Sequence, residues 1–215
     1  MSTRADSIVF IIDDDASVRK ALGRLLRAEG YPFECFLSAA DFLARSPSGG
    51  PSCVVLDFHM PGLNGLELQQ ALADAGRDES IIFITGHGDI PTCAKAMKAG
   101  AIDFLPKPFR DEELLAAITR SLMRSQRVVA ERAARAKIRA LLDRLTPRER
   151  EVLELVIVGK LNKQIAAELG ASEKTVKVHR GRVMQKLQVF SVAELVRLTE
   201  DAGIRRGTLG DRTKV

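Results

Sequence analysis

CVVLDFHMPGLNG, residues 53–65, decides the fold. Its first residues form an apolar run that does not alternate with polar ones, the pattern of a central strand covered by helices on both faces. The run stops at Asp57, and helical spacing resumes from about Leu66. The same unit recurs on both sides. Upstream lie IVFII (8–12), a helix carrying Val18, Leu22, Leu25 and Leu26, YPFECF (31–36) and a short helix opened by Ser38. Downstream lie IIFIT (81–85), a helix near 91–99 and AIDFL (101–105). Five strands alternating with helices predict an α/β domain, a doubly wound five-stranded parallel sheet.

From Asp111, read as an N-cap, Leu114, Leu115, Ile118 and Leu122 lead into VVAERAARAK, which has no glycine or proline to break it. A long helix is therefore expected to join two domains, either exposed or in a coiled contact with a second subunit. Beyond it the chain has helix punctuation and no strand signal. Thr146-Pro147-Arg148-Glu149 combines an N-cap, proline at the first helical position and a glutamate placed to close a capping box. Asn162, Ser172 and Ser191 are read as three further caps, with Gly159 and Gly170 at the preceding ends. A small all-α domain results, with a tail over 204–215 of disordered composition.

A chain of 215 residues has room for two ordinary domains. Hydrophobic residues make up 46% and charged residues 28%, values of a soluble globular protein, and no apolar run reaches the roughly 20 residues that span a bilayer. MSTRADS leads straight into IVFII without a secretory signal, so a cytoplasmic location and no membrane partner are expected. The three cysteines, Cys35, Cys53 and Cys93, lack metal-site spacing and are read as buried free thiols. Charge is divided unevenly. Residues 1–120 carry −5 and residues 121–215 carry +10, which points to a polyanion partner for the second half alone.

On a parallel sheet, ligands sit beyond the carboxyl ends of the strands. Asp13, Asp14 and Asp15 follow the first strand, Asp57 ends the third, Thr85 ends the fourth and Lys107 follows the fifth. Crowded carboxylates repel one another and suit a hard divalent cation, most naturally Mg²⁺. Asp57 is then placed to attack phosphorus as a carboxylate nucleophile, with Lys107 and the Thr85 hydroxyl on the phosphoryl oxygens. Taken singly, the aspartates equally suit a helix cap and Lys107 a surface charge. Their joint placement, each at a different strand end, is what points to a site.

IIDDD, VVLDFHMPGLNG, IIFITGHGD and AIDFLPKPF together resemble the receiver domain of two-component response regulators, over roughly residues 6–122. The resemblance implies a flavodoxin-like fold, Asp57 as phosphoacceptor, Asp13 and Asp14 as the acidic pair, and the backbone carbonyl of His59 as a further metal ligand. It also implies Thr85 and Phe104 as a switch pair, Thr85 moving toward the phosphoryl group and the Phe104 ring turning inward. A cis bond between Lys107 and Pro108 is suggested as well. His59 and His87 stand near the acceptor, either as solvated loop side chains or as groups that set the phosphoryl lifetime. GHG at 86–88 lacks the spacing of a nucleotide loop.

On a helical wheel of residues 173–188, Val176, His179, Val183 and Leu187 fall on one side, and Lys174, Lys177, Val178, Gly181 and Gln185 on the other. An apolar back and a basic front suit the major groove, with Arg180 and Arg182 flanking toward phosphates. A solvated basic face is the plainer reading of the helix alone. LTPREREVLELVIVGKLNKQIAAELGASEKTVKVHRGRVMQKL, within about 145–199, resembles the LuxR-type helix-turn-helix of NarL/FixJ regulators. Carried across, Lys174, Thr175, Lys177, Val178, Arg180 and Arg182 are expected near DNA; Gly181 departs from members with a long polar side chain there.

The expected organisation is a receiver over 1–122, a helical linker over 123–143, a LuxR-type DNA-binding domain over 144–203 and the tail. The expected function is transcription control without enzymatic activity: a sensor histidine kinase phosphorylates Asp57, the chain dimerises, and DNA is bound, with RNA polymerase a further partner. Two alternatives compete. One is a constitutive DNA binder whose receiver takes no phosphate. The other is a Mg²⁺-dependent phosphatase of the haloacid-dehalogenase type, suggested by the D-x-D within Asp13-Asp14-Asp15, although the chain turns to a basic helical module where that family needs further acids.

Overall fold

The computed structural model describes residues 6–86 and 90–203. His87 and the 204–215 tail singled out in the sequence lie outside these residues. The chain divides into two compact units, meeting in sequence at Ala130 and Glu131.

The first unit runs β1 (Ile8–Ile12), α1 (Ala16–Ala28), β2 (Phe33–Phe36), α2 (Ala39–Ala44), β3 (Ser52–Asp57), α3 (Gly65–Asp74), β4 (Ser80–Thr85), α4 (Ile90–Lys98) and β5 (Asp103–Pro106), then enters α5 (Asp111–Asp143). All four strand pairings are parallel, in the order β2-β1-β3-β4-β5. Because successive strand residues point to opposite faces, the sheet builds two cores. Phe10, Ile12, Val54, Leu56, Ile81 and Phe83 face Phe42 of α2, Leu68 and Leu72 of α3 and Ala96 of α4. Val9, Ile11, Val55, Ile82 and Ile84 face Leu22 and Leu26 of α1 and Leu114, Ala117 and Ile118 of α5.

Local chemistry sets most boundaries. Asp15 caps α1 by accepting from Ser17 N–H at 2.7 Å, and Asn64 and Glu67 form a reciprocal box at the start of α3. Some expectations are corrected. Asp111 is not a cap: it lies inside α5, and the Glu113 carboxylate reaches back to the N–H of Arg110, the residue ahead of the helix, at 3.3 Å. β2 and β5 each begin two residues later than the apolar runs; for β5, Gly100 (φ +96°) and the Ala101 N–H bond to Ala96 O still belong to the end of α4. Of the cysteines only Cys53 is buried; Cys35 is exposed and Cys93 half-buried. The Lys107–Pro108 bond is cis.

The second unit contains the last turns of α5, then α6 (Pro147–Ile157), α7 (Asn162–Leu169), α8 (Glu173–Leu187) and α9 (Val192–Asp201). Leu142, Val152, Leu153, Val156, Ile165, Val176, Val183, Leu187 and Leu195 form its core. Thr146 and Glu149 make the expected capping box, and Ser172 and Ser191 the expected caps. Asn162 does not cap: Leu161 precedes α7, and Gln164 Oε1 accepts from its N–H at 2.8 Å. Gly170 ends α7 in the left-handed conformation (φ +61°), which a side chain would strain. Among the described residues no helix is long and apolar enough to cross a membrane.

Glu149, only 3% exposed at its side chain, also accepts from Lys186 Nζ at 2.6 Å, tying α8 to the start of α6. Burial pushes its pKa up, but the Lys186 hydrogen bond and the Thr146 N–H outweigh it, so the carboxyl is held below its ordinary value. A depressed native pKa contributes stability that is present above the unfolded value of about 4.3 and is lost as pH falls through the native one. Glu149→Gln is expected to remove that acid dependence and cost about 1–3 kcal/mol at neutral pH. Amide exchange in α6 and α8 of the full chain checks it; unchanged protection would mean that the pair adds nothing to the stability of this unit.

Candidate functional site

The strand register brings the acidic residues together. Ile12 pairs with Leu56, Asp57 with Ile84 and Thr85 with Pro106, so Asp13, Asp57, Thr85 and Lys107 emerge at one edge. The Asp13 and Thr85 residues are fully buried and Asp57 is nearly so, while Asp14 is exposed. One carboxylate oxygen from each of Asp13, Asp14 and Asp57 lies within 4.8 Å of the others.

Lys107 Nζ donates to Asp13 Oδ2 at 2.9 Å and to Asp57 Oδ1 at 3.1 Å. Its aim is fixed through the backbone, for its N–H donates to Thr85 O at 2.6 Å. Burial alone would lower the Lys107 pKa, but the hydrogen bonds and charges of Asp13 and Asp57 outweigh it and raise it, so the ammonium is kept. Asp57 moves the other way from a typical paired carboxylate. Burial pushes it up, the Lys107 hydrogen bond opposes this, the charges of Asp13 and Asp14 add to it, and the net shift is upward. Three carboxylates against one ammonium leave the pocket anionic, and their hard oxygens fit a small divalent cation such as Mg²⁺.

Thr85 Oγ1 lies 3.3 Å from His59 Nδ1. Phe104 is half-buried, its ring centroid 5.8 Å from that of Phe58 and 6.0 Å from that of Phe83. The ring therefore already leans on the core in this structure.

Two family models match the chain: the response regulator receiver domain over residues 9–119, and the luxR family of bacterial regulatory proteins over residues 143–199. The chain belongs to the response regulators. It is similar to nodulation protein W of Bradyrhizobium diazoefficiens, 46% identical over 94% of this chain and 88% of that protein. It is likewise similar to the transcriptional regulatory protein FixJ of Azorhizobium caulinodans, 43% identical over 91% of this chain and 93% of that one. Among solved structures, that of the response regulator StyR covers 91% of this chain and 98% of its own, at 48% identity and a TM-score of 0.81. This response regulator thus joins a receiver domain to a LuxR-type DNA-binding domain, and its relatives are transcription regulators.

In the DNA-binding domain of the response regulator, α7 ends at Gly170 and α8 opens at Ser172, leaving the short turn a helix-turn-helix needs. Val176, Val183 and Leu187 are buried as the wheel requires, and His179 is half-buried. Lys174, Thr175, Lys177, Val178 and Arg182 are exposed. Arg180 is half-buried and donates to Asn162 Oδ1 on α7 at 3.0 Å. At Gly181 an added Cβ would meet open space, so no packing demand keeps this position bare.

Three contacts at the site were not read from the sequence. Arg19 Nη1 donates to the Asp13 carbonyl at 2.5 Å, and Asp15 N–H donates to Asp13 Oδ1 at 2.8 Å. These brace the acidic pocket from α1. The third is the contact of the His59 ring, in the loop after β3, with Thr85 at the end of the adjacent β4.

Proposed function

We propose that Asp57 accepts a phosphoryl group from a sensor histidine kinase and that this event controls dimerisation and DNA binding by the response regulator. The observation that supports it is the pairing of a buried Asp57 with Lys107 beside two further carboxylates at one sheet edge. In this reading Asp13, Asp14, Asp57 and the His59 backbone carbonyl hold Mg²⁺, which when bound neutralises the pocket and the incoming phosphoryl oxygens. The Asp57 carboxylate attacks phosphorus, the donor's bond to phosphorus breaks, and an aspartyl phosphate forms. Lys107 keeps its proton and shifts its donors to the phosphoryl oxygens. Thr85 exchanges His59 Nδ1 for a phosphoryl oxygen, and Phe104 settles into the space released, reshaping the surface around Ala94, Lys98 and β5.

The domain limits proposed are 1–122 for the receiver, 123–143 for the linker and 144–203 for the DNA-binding domain. Lys174, Thr175, Lys177, Val178, Arg180 and Arg182 are the proposed DNA contacts, on paired half-sites read by two copies. The site acts as a stoichiometric switch in transcription, in the cytoplasm and with RNA polymerase as downstream partner, not as an enzyme turning over substrate.

The test incubates the full chain with acetyl phosphate and Mg²⁺, follows intact mass, and measures affinity for a duplex selected from random sequence. Gain of one phosphoryl group followed by tighter binding is expected. Folded protein that gains none, beside a receiver that labels, would leave a constitutive DNA binder instead.

A further inference from the structure

The receiver also holds a cavity of about 490 Å³ between α1 and the edge strand β2, lined by Arg19, Lys20, Gly23, Arg24, Arg27 and Phe33, together with Ala16 and Cys35. Its volume is that of a small-molecule site, and no lining residue is a carboxylate. We propose that this cavity binds a small anion built on a planar ring, of the nucleotide class. The inference stands apart from the phosphoryl-transfer reading.

Charge points to an anion. Four cations line one cavity in a half of the chain whose net charge is −5. Lys20 and Arg24 are four residues apart on α1, where like charges oppose the helix, whereas a merely solvated face favours alternating sign. No ion pair joins Lys20, Arg24 or Arg27 to a carboxylate among the described residues. A cluster of guanidinium groups left in this state is matched by a ligand with several anionic oxygens.

The aromatic floor points to a base. Gly23 is buried, and a Cβ there would come within 2.9 Å of Phe33 Cε2. The missing side chain lets the Phe33 ring lie directly on the helix backbone as an apolar floor. The Arg27 guanidinium carbon lies 5.5 Å from the centroid of that ring. Phenyl ring and guanidinium plane together offer a stacking surface for a base, and stacking of this kind tolerates any base. Arg19 is already tethered to the Asp13 carbonyl, so one of the four cations is ordered before a ligand arrives.

The experiment titrates ATP into the isotope-labelled full chain in EDTA and reads backbone amide shifts, with tripolyphosphate and adenosine as probes lacking the ring or the charge. Because the basic C-terminal half also attracts polyanions, only amides of residues 16–27 and 33–35 count. The expected result is saturable shifts there, with ATP binding at least about tenfold more tightly than either partial probe. Arg24→Glu combined with Arg27→Glu, both at exposed positions, is expected to weaken ATP at these amides by at least about tenfold. Phe33→Leu is expected to erase the preference for ATP over tripolyphosphate. Silent α1 and β2 amides, equal binding of tripolyphosphate, or native affinity in the charge-reversed variant would each overturn the proposal.

Discussion

Asp57→Asn is expected to take up no phosphoryl group from acetyl phosphate and, in EDTA, to be more stable than the native chain. Uptake is abolished because the amide is nearly isosteric with the carboxylate but offers no anionic oxygen to phosphorus. The gain in stability comes from the pocket. Asp13, Asp14 and Asp57 crowd within 4.8 Å, and burial raises the Asp57 pKa despite its hydrogen bond from Lys107. An acid whose native pKa is raised binds more protons when folded than when unfolded. Its ionisation therefore costs stability progressively as pH rises from about 3.9 through the native value. The neutral amide removes that cost, and Lys107 keeps Asp13 at 2.9 Å. Mg²⁺ is expected to stabilise the native chain more than the variant, narrowing the difference. Intact mass and urea unfolding followed by circular dichroism check both halves. Labelling of the variant would move the acceptor elsewhere, and a less stable variant in EDTA would mean that the carboxylate is a net structural asset.

The second large effect lies at α8. Replacing both Lys174 and Lys177 with alanine is expected to weaken binding to a selected duplex by roughly 100-fold at physiological salt and to lower the salt slope by about 2, near 0.9 for each phosphate no longer neutralised. Both side chains are exposed and stand clear of the core formed by Val176, Val183 and Leu187, so the fold should survive. The two alanines also favour the helix. Anisotropy titrations on one duplex, at salt concentrations from about 50 to about 200 mM, separate the cases. A uniform loss with a lower slope marks phosphate contacts; a loss confined to one base pair, with the slope kept, marks base reading. An unchanged slope and affinity would place the DNA surface off this helix.

The acidic site was legible because its residues stand at strand ends. Parallel strands deliver their carboxyl ends to a common edge, so Asp13, Asp57, Thr85 and Lys107 can be assembled from their order alone once five strands are recognised. Helix caps were legible where the side chain has an acceptor at the right offset, as in Thr146, Ser172 and Ser191. They were misread at Asp111 and Asn162, where a carboxylate or amide a few residues along the chain reached back to the residue ahead of the helix instead.

By itself, then, the sequence determined two domains, a parallel five-stranded sheet, the acidic edge and the basic face of α8. Each rests on a short period or on chain order, which backbone geometry alone converts into position. Only the tertiary structure decided that Arg19 braces Asp13, that His59 meets Thr85, that Glu149 holds Lys186, that Arg180 reaches Asn162, and that four cations of α1 line one cavity with Phe33. Long side chains reach partners across neighbouring elements, or gather in a groove between them, only after packing has fixed those elements and selected the rotamers, and no local pattern encodes that choice.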